Sequence, residues 1–342
     1  MVRLLTLIAI IGSFTRCEFD YEQLKPESFG EVGSVTIIMN TNILDTDVGK
    51  HLKTKMDKKI YGTYPVEKVH KTYYVPEESK SNATNRQTEL VVIKIVPEDT
   101  YATPKVDIKY NLYVTNQIII TVTVNNLKTL DDFILEGWDR KVLAPLQQYE
   151  LDYINKRTKS KRHKSSQKSL DNRFGINMVL PNDFVVNEDE KDFIWMTRKE
   201  TRKTEEGFTV WIQQGILVWQ VDYLNESQFD PDSLLAQRDS VLMKKVPYEK
   251  KKGYMATEYM EGFAPINKVH EDNGLYKVDL SGMWKVDGDP AIHMGGAFYQ
   301  TSFYNQKTGK LVTVCAYQHA PGVSQRKLHL NMRAWVNSIS LN

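Results

Sequence analysis

The chain has 342 residues with 45 basic and 43 acidic side chains, a formal net charge of +2, and 41% apolar and 11% aromatic content. That composition excludes a disordered polypeptide. The near balance of charge argues against a nucleic-acid binder, which carries a basic excess. Two cysteines, Cys17 and Cys315, are too few for a disulfide scaffold.

At the start, Arg3 precedes an unbroken apolar run over 4–11, and a short break leads to Cys17. A positive start, a short apolar core and a small-residue break read as an export signal. The run is too short to span a membrane, which takes roughly 20 apolar residues. Cys17 at its end is the expected site of acylation, as in bacterial lipoproteins, although Arg16 stands where a small residue is preferred. Cutting this leader away removes Arg3 and Arg16 and leaves 43 basic against 43 acidic residues.

Downstream, residues 34–39 read as a buried strand. Val48, Leu52, Met56 and Ile60 recur every four residues and predict a helix stopped by Gly62. Strands are expected at 68–75, 88–96 and 113–124, the last two rich in β-branched residues. A helix over 127–155 follows, with Pro145 expected to kink or split it. Residues 156–168 then turn basic and serine-rich, which reads as a solvated helix end and linker rather than a patch for anionic lipid head groups.

Beyond it come expected strands at 174–180, 192–198, 207–213 and 216–223, and a helix over 231–243 with Pro231 in its first turn. Strands at 278–286, 297–304 and 311–317 follow, the last two joined by a Gly-containing loop. A helix over 324–339 closes the chain. The predicted class is α+β: two subdomains of mainly antiparallel sheet with helices packed on one face. The predicted division is a signal segment 1–17, an N-terminal domain 18–155, a basic linker 156–172 and a C-terminal domain 173–342.

Standard catalytic and nucleotide signatures are absent. The seven histidines (His51, His70, His163, His270, His293, His319 and His329) show no metal-ligand spacing, so neither metal nor cofactor is expected. His270-Glu271-Asp272 reads as a polar turn, Asp287-Gly288-Asp289 as turn chemistry, and Cys315 as a small buried hydrophobe. Lys307-Thr308-Gly309, with Ser165/Lys168 or Ser324/Lys327, imitates a penicillin-recognising enzyme. The first pair lies in the linker and the second follows the Lys-Thr-Gly in the wrong order. Trp211, Trp219 and Trp284 are expected in the core; on an open face they would suit a sugar ring. Gly295-Gly296 reads as a bulge or a close backbone approach.

A set of short motifs then forms an ordered pattern. It runs Lys25-Pro26-x-Ser28-x-Gly30, Leu180-Pro181, Phe193-x-Trp195, Arg238-Asp239-Ser240, Lys244-Lys245 and Tyr254-Met255-x-Thr257-Glu258. Gly282-Met283-Trp284, Met294-Gly295-Gly296-Ala297-Phe298, Ala320-Pro321 and Arg326-Lys327 complete it. The pattern resembles the Bacteroidota envelope lipoprotein family known as a domain of unknown function, DUF 4837, over nearly all of the chain beyond Cys17, with Ala297 where that family has proline. The resemblance implies an envelope address and brings no activity, cofactor or catalytic residue. Arg238, Asp239, Tyr254, Glu258, Trp284, Gly295, Gly296 and Arg326 are the candidates for one binding cleft, weighed against simple charge pairing of helices to sheet. The expected role is an exported, lipid-anchored, non-enzymatic binding or assembly component that engages the membrane through Cys17 and an envelope protein or glycan elsewhere. The alternatives are an envelope hydrolase using Asp239, Glu258 and His293, and a cell-wall glycan-binding module.

Overall fold

A computed structural model describes residues 25–97, 103–159, 164–248, 253–272, 274–289 and 291–341. The leader and Cys17 lie outside the described residues.

The first half contains β1 (Ser34–Met39), α1 (Asp47–Met56), β2 (Lys71–Pro76), α2 (Asn82–Asn85), β3 (Glu89–Ile95), β4 (Lys105–Tyr110), β5 (Ile118–Val124), α3 (Leu127–Glu136) and α4 (Ala144–Lys159). Its sheet runs β2-β1-β3-β5-β4. Pairings β1–β2, β1–β3 and β3–β5 are parallel, and only β4–β5 is antiparallel. The α+β class stands, and antiparallel pairing predominates over the whole molecule, but this first sheet departs from it. The cause is the connection: α1 lies between β1 and β2, and a helical crossover returns the chain in the same direction. Val35, Ile37, Met39, Val91, Ile120 and Val122 face Leu52 and Met56 of α1 and Leu130, Phe133 and Ile134 of α3.

The helix expected over 127–155 is divided. α3 ends before Gly137, a π-helical turn occupies Asp139–Leu143, and Pro145 is the second residue of α4. Pro145 has no N–H to offer the carbonyl four residues back, and the wider turn upstream absorbs the mismatch.

The second half contains α5 (Lys164–Phe174), β6 (Ile176–Asn177), β7 (Val185–Glu190), β8 (Phe193–Lys203), β9 (Thr209–Asp222), α6 (Pro231–Lys245), β10 (Tyr254–Thr257), β11 (Ile266–Asp272), β12 (Leu275–Asp287), β13 (Gly295–Asn305), β14 (Lys310–His319), α7 (Arg326–Asn337) and β15 (Ser340–Leu341). The sheet runs β10-β12-β13-β14-β9-β8-β7, with β11 also on β12, and every pairing is antiparallel.

Helices cover both faces of this sheet, not one. Met332, Trp335 and Val336 of α7, with Leu170 and Phe174 of α5, pack on Ile194, Ile216, Tyr299 and Val314. Leu234, Leu235 and Leu242 of α6 pack on Leu217, Trp219, Phe298 and Tyr317. The reason is legible in β14, where residues 311–318 are all buried; a strand apolar on both faces needs a layer over each.

The basic segment also differs from expectation. α4 runs to Lys159, the helix end expected there, but α5 resumes at Lys164 within the segment read as linker, and only a two-residue β6 replaces the expected strand at 174–180. The two strands expected around Gly215 are one, β9. A Cβ at Gly215 would sit 2.1 Å from Cε1 of Tyr317, so the glycine makes room for a ring across the ladder. His270 lies within β11, not in a turn.

The halves meet along α4 and α7, where Leu151 packs with Leu330 and Ala334, and Asn155 Nδ2 donates to the Ala334 carbonyl at 3.1 Å. An arm over 58–69 reaches from the first half onto the second. It is closed by Ile60 N–H to the Glu67 carbonyl (2.8 Å) and Val69 N–H to the Lys58 carbonyl (2.7 Å). At its tip the Tyr61 hydroxyl donates to the Ala264 carbonyl. Gly62, at φ +82°, lies so close that a Cβ would be 2.5 Å from the Gly282 oxygen. The Glu67 carboxylate accepts from Ser324 Oγ (2.7 Å), Gln325 N (2.5 Å) and Arg326 N (3.2 Å). The first half thus supplies the N-terminal cap of α7, satisfying amides that the helix cannot satisfy itself.

Candidate functional site

The eight residues expected in one cleft fall into three groups. Arg238 and Asp239 lie on α6. The Arg238 side chain is fully buried, its guanidinium 3.9 Å from the Phe298 ring centroid, and Nη1 donates to Thr257 Oγ1 at 2.6 Å. Asp239 accepts from Thr257 N (2.9 Å), Thr257 Oγ1 (2.6 Å) and the Tyr259 hydroxyl (2.7 Å). Burial, then the bond to Asp239, pushes the Tyr259 hydroxyl up to about 12, so it stays a donor. Both charges are spent on tying α6 to the residues at the end of β10.

The second group surrounds an open dish of about 660 Å³ lined by Glu258, Trp284, Lys285, His293 and Gly295 among others. Glu258 Oε1 accepts from Met260 N at 2.9 Å and lies 3.5 Å from Lys285 Nζ. The Trp284 indole is buried and donates to the Gln318 carbonyl at 2.9 Å. Gly295 and Gly296 pair in regular register with Lys285 and Trp284, so there is no bulge; a Cβ at Gly296 would sit 1.9 Å from the Gln318 oxygen. Tyr254 is at the edge, its hydroxyl 3.3 Å from Asp287 Oδ2. Arg326 stands apart from both groups: at the start of α7, its Nη1 donates to the Gly33 carbonyl of the first half at 2.8 Å.

A different cleft, of about 280 Å³, opens where the halves meet. The first half contributes Lys59, Ile60, Tyr61 and Val69. α7 contributes His329, Arg333 and Asn337, and the sheet contributes Lys268, His270, Asp279, Ser281 and Tyr299. The three α7 residues recur every four positions and so form one stripe. Tyr299 donates to Asp279 Oδ2 at 2.6 Å and accepts from Asn337 Nδ2 at 3.4 Å, and His270 Nδ1 lies 3.6 Å from the same carboxylate oxygen. Burial, then the negative Asp279, pushes the Tyr299 hydroxyl far up, so it remains protonated. Burial, then the charge of Arg333, pushes the His329 imidazole down to about 3, leaving it neutral near pH 7. Sequence reading missed this cleft. The signal available was the 329/333/337 spacing; its partners depend on the pairing of β12 with β13.

Residues 163–338 match the model of a domain of unknown function, DUF4837, over just over half of the chain. The chain belongs to the DUF4837 family. A second model, the domain of unknown function DUF8532, matches residues 28–159. The DUF4837 match is therefore narrower than the motif pattern implied, and the early Lys25–Gly30 motif lies outside it. No curated protein matches. Among solved structures, the Saccharomyces cerevisiae Ran-binding protein Mog1p matches at 10% identity with a TM-score of 0.31, over 49% of this chain and 90% of that one. A single-site mutant of Mog1 matches at 10% identity with a TM-score of 0.29 and the same coverage.

The dish belongs wholly to the DUF4837 segment, whereas the junction cleft draws on both matched segments. Among the described residues no group of three or more His, Cys, Asp or Glu could hold a metal ion. No described helix is long and apolar enough to cross a membrane. Of the three tryptophans considered for sugar stacking, Trp219 and Trp284 are buried and Trp211 is 68% exposed.

Proposed function

We propose that this DUF4837 chain is an exported, lipid-anchored binding component of a bacterial cell envelope that holds an anionic ligand in the junction cleft. The observation that supports it is a charge imbalance. Lys59, Lys268 and Arg333 line the cleft without a carboxylate partner among the described residues. The one carboxylate there, Asp279, is already engaged by Tyr299. Unneutralised cations around a concave site, with Arg333 half-buried and Lys59 and Lys268 exposed at its rim, favour a phosphate or carboxylate group. With Tyr299 held protonated and His329 neutral, the cleft offers hydrogen-bond donors and positive charge, which is binding chemistry. Calorimetric titration with inorganic phosphate and with citrate tests it. The wild type binds at least one of them, and Arg333→Gln weakens that binding about tenfold, the scale of one charge-assisted contact. Equal binding by both proteins overturns the reading.

The address rests on the leader. Cys17→Ser should abolish acyl labelling and release the protein from the membrane fraction; unchanged labelling removes the anchor from the proposal. A hydrolase is the second reading, favoured by Glu258 and His293 lining one open dish. Asp239 contributes little to it, being held by Thr257 and Tyr259.

A further inference from the structure

Tyrosines of the second sheet gather at the same end of the face that α6 covers. On that face lie Trp219 of β9, Phe298 of β13 and Leu280 of β12. Side chains alternate along a strand, so Tyr304 of β13 and Tyr276 of β12 fall on the same side, and Tyr223, just past β9, continues the row. The register agrees: Tyr304 is opposite Leu311, Leu311 is opposite Val221, and the Phe303–Lys277 pair sets Tyr276 beside Tyr304. The chain then makes a 3-10 turn, Glu226–Phe229, before α6. That turn is fixed by Asn225 Oδ1 accepting from Ser227 N at 3.0 Å and by Gln228 Nε2 donating to the Asp222 carbonyl at 3.1 Å. It brings Phe229 and Glu226 to the same place.

The result is a pocket of about 440 Å³ whose wall is mostly Tyr223, Phe229, Tyr276, Tyr304 and Glu226, completed by the 274–275 turn and Gln306. Tyr223 and Tyr304 have centroids 4.6 Å apart at 42°, Tyr223 and Phe229 6.0 Å apart at 54°, and Phe229 and Tyr276 5.3 Å apart at 86°. Rings set at such angles wall a space instead of paving it. A sugar is usually met by one open ring face, whereas a cation is met by several rings around it. No lysine or arginine is among the lining residues, and the single charge is the Glu226 carboxylate.

We propose that this pocket binds an organic ammonium group, with the aromatic rings supplying cation–π attraction and Glu226 the counter-charge. The group could be carried by a small quaternary amine or by a lysine side chain of a peptide, and the two share this chemistry. The test uses the full chain and titrates choline, Nα-acetyl-lysine methylamide and the neutral isostere 3,3-dimethylbutanol, read by calorimetry or by shifts of tyrosine ring resonances. The expected result is binding of choline or the lysine derivative with the neutral isostere about tenfold weaker. Binding of choline alone assigns the small amine, and binding of the lysine derivative assigns a peptide. Tyr276→Ala, at a position 53% exposed, should lose about tenfold, and Tyr276→Phe should retain affinity. Glu226→Gln should lose severalfold for the cations and nothing for the isostere. Equal affinity for the neutral isostere, binding of none of the three, or unchanged choline affinity in a Tyr276→Ala protein with wild-type melting would each overturn the proposal.

Discussion

Each half of this molecule buries ionisable groups, and the two do so by opposite means. In the first half, Glu89 and Glu150 are both essentially inaccessible, with His70 Nε2 2.9 Å from Glu150 and Gly33 N donating to Glu89 at 2.9 Å. In the second, the most deeply buried charge is Arg238, set on Phe298 and bonded to Thr257. A carboxyl can shed its charge by taking a proton; a guanidinium cannot. Burial, then the neighbouring Glu150, pushes Glu89 well above the usual carboxylate range, so the first cluster adapts by protonation. The second has to be matched by fixed partners, which is why Thr257, Asp239 and the ring of Phe298 converge there.

The largest effect should come from breaking the fixed arrangement. Arg238→Ala removes the guanidinium from over Phe298 and from Thr257, and should cost about 3–5 kcal/mol in urea unfolding, as for other broken buried charge pairs. A cost below about 1 kcal/mol would mean that Arg238 is not holding α6 to β10. The adaptable cluster should respond to pH instead. Because Glu89 is raised in the folded state, its contribution is fully present below the unfolded value near 4.5 and is lost as pH rises toward the raised folded value. The slope is about 1.4 kcal/mol per pH unit while it titrates. Glu89→Gln should flatten that part of the stability profile and be more stable than wild type at alkaline pH. An unchanged slope would remove Glu89 as its source. The smallest effect concerns the contact between the halves: Glu67→Ala deprives α7 of its cap and should cost about 1–2 kcal/mol, read as a lower melting temperature.

Much of the architecture was legible where one residue property sufficed. β1 occurs over the expected 34–39 because a β-branched apolar run between turn residues admits little else. β14 and α7 followed for similar reasons. β11 was not legible: Asn267, Lys268 and His270 carry no apolar signal, and the strand exists because β12 offers it an edge. α5 was hidden by its serines and lysines, with only Leu170 and Phe174 marking the buried side. The parallel order of the first sheet depends on which strands become neighbours after α1 crosses over, and no local pattern carries that. Among the candidate residues, Trp284, Glu258 and Gly295 line one dish, because β12 pairs with β10 on one side and with β13 on the other. Arg326 was grouped with them by motif type alone. Its actual partner, Gly33, lies 293 positions earlier.

The arm over 58–69 has a practical corollary. Since the amides at the start of α7 are answered from across the junction, and Leu330 and Ala334 find their cover on α4, the two pieces are complementary templates. A polypeptide severed between α4 and α5 should reconstitute on mixing, with each fragment gaining cooperative melting only in the presence of the other.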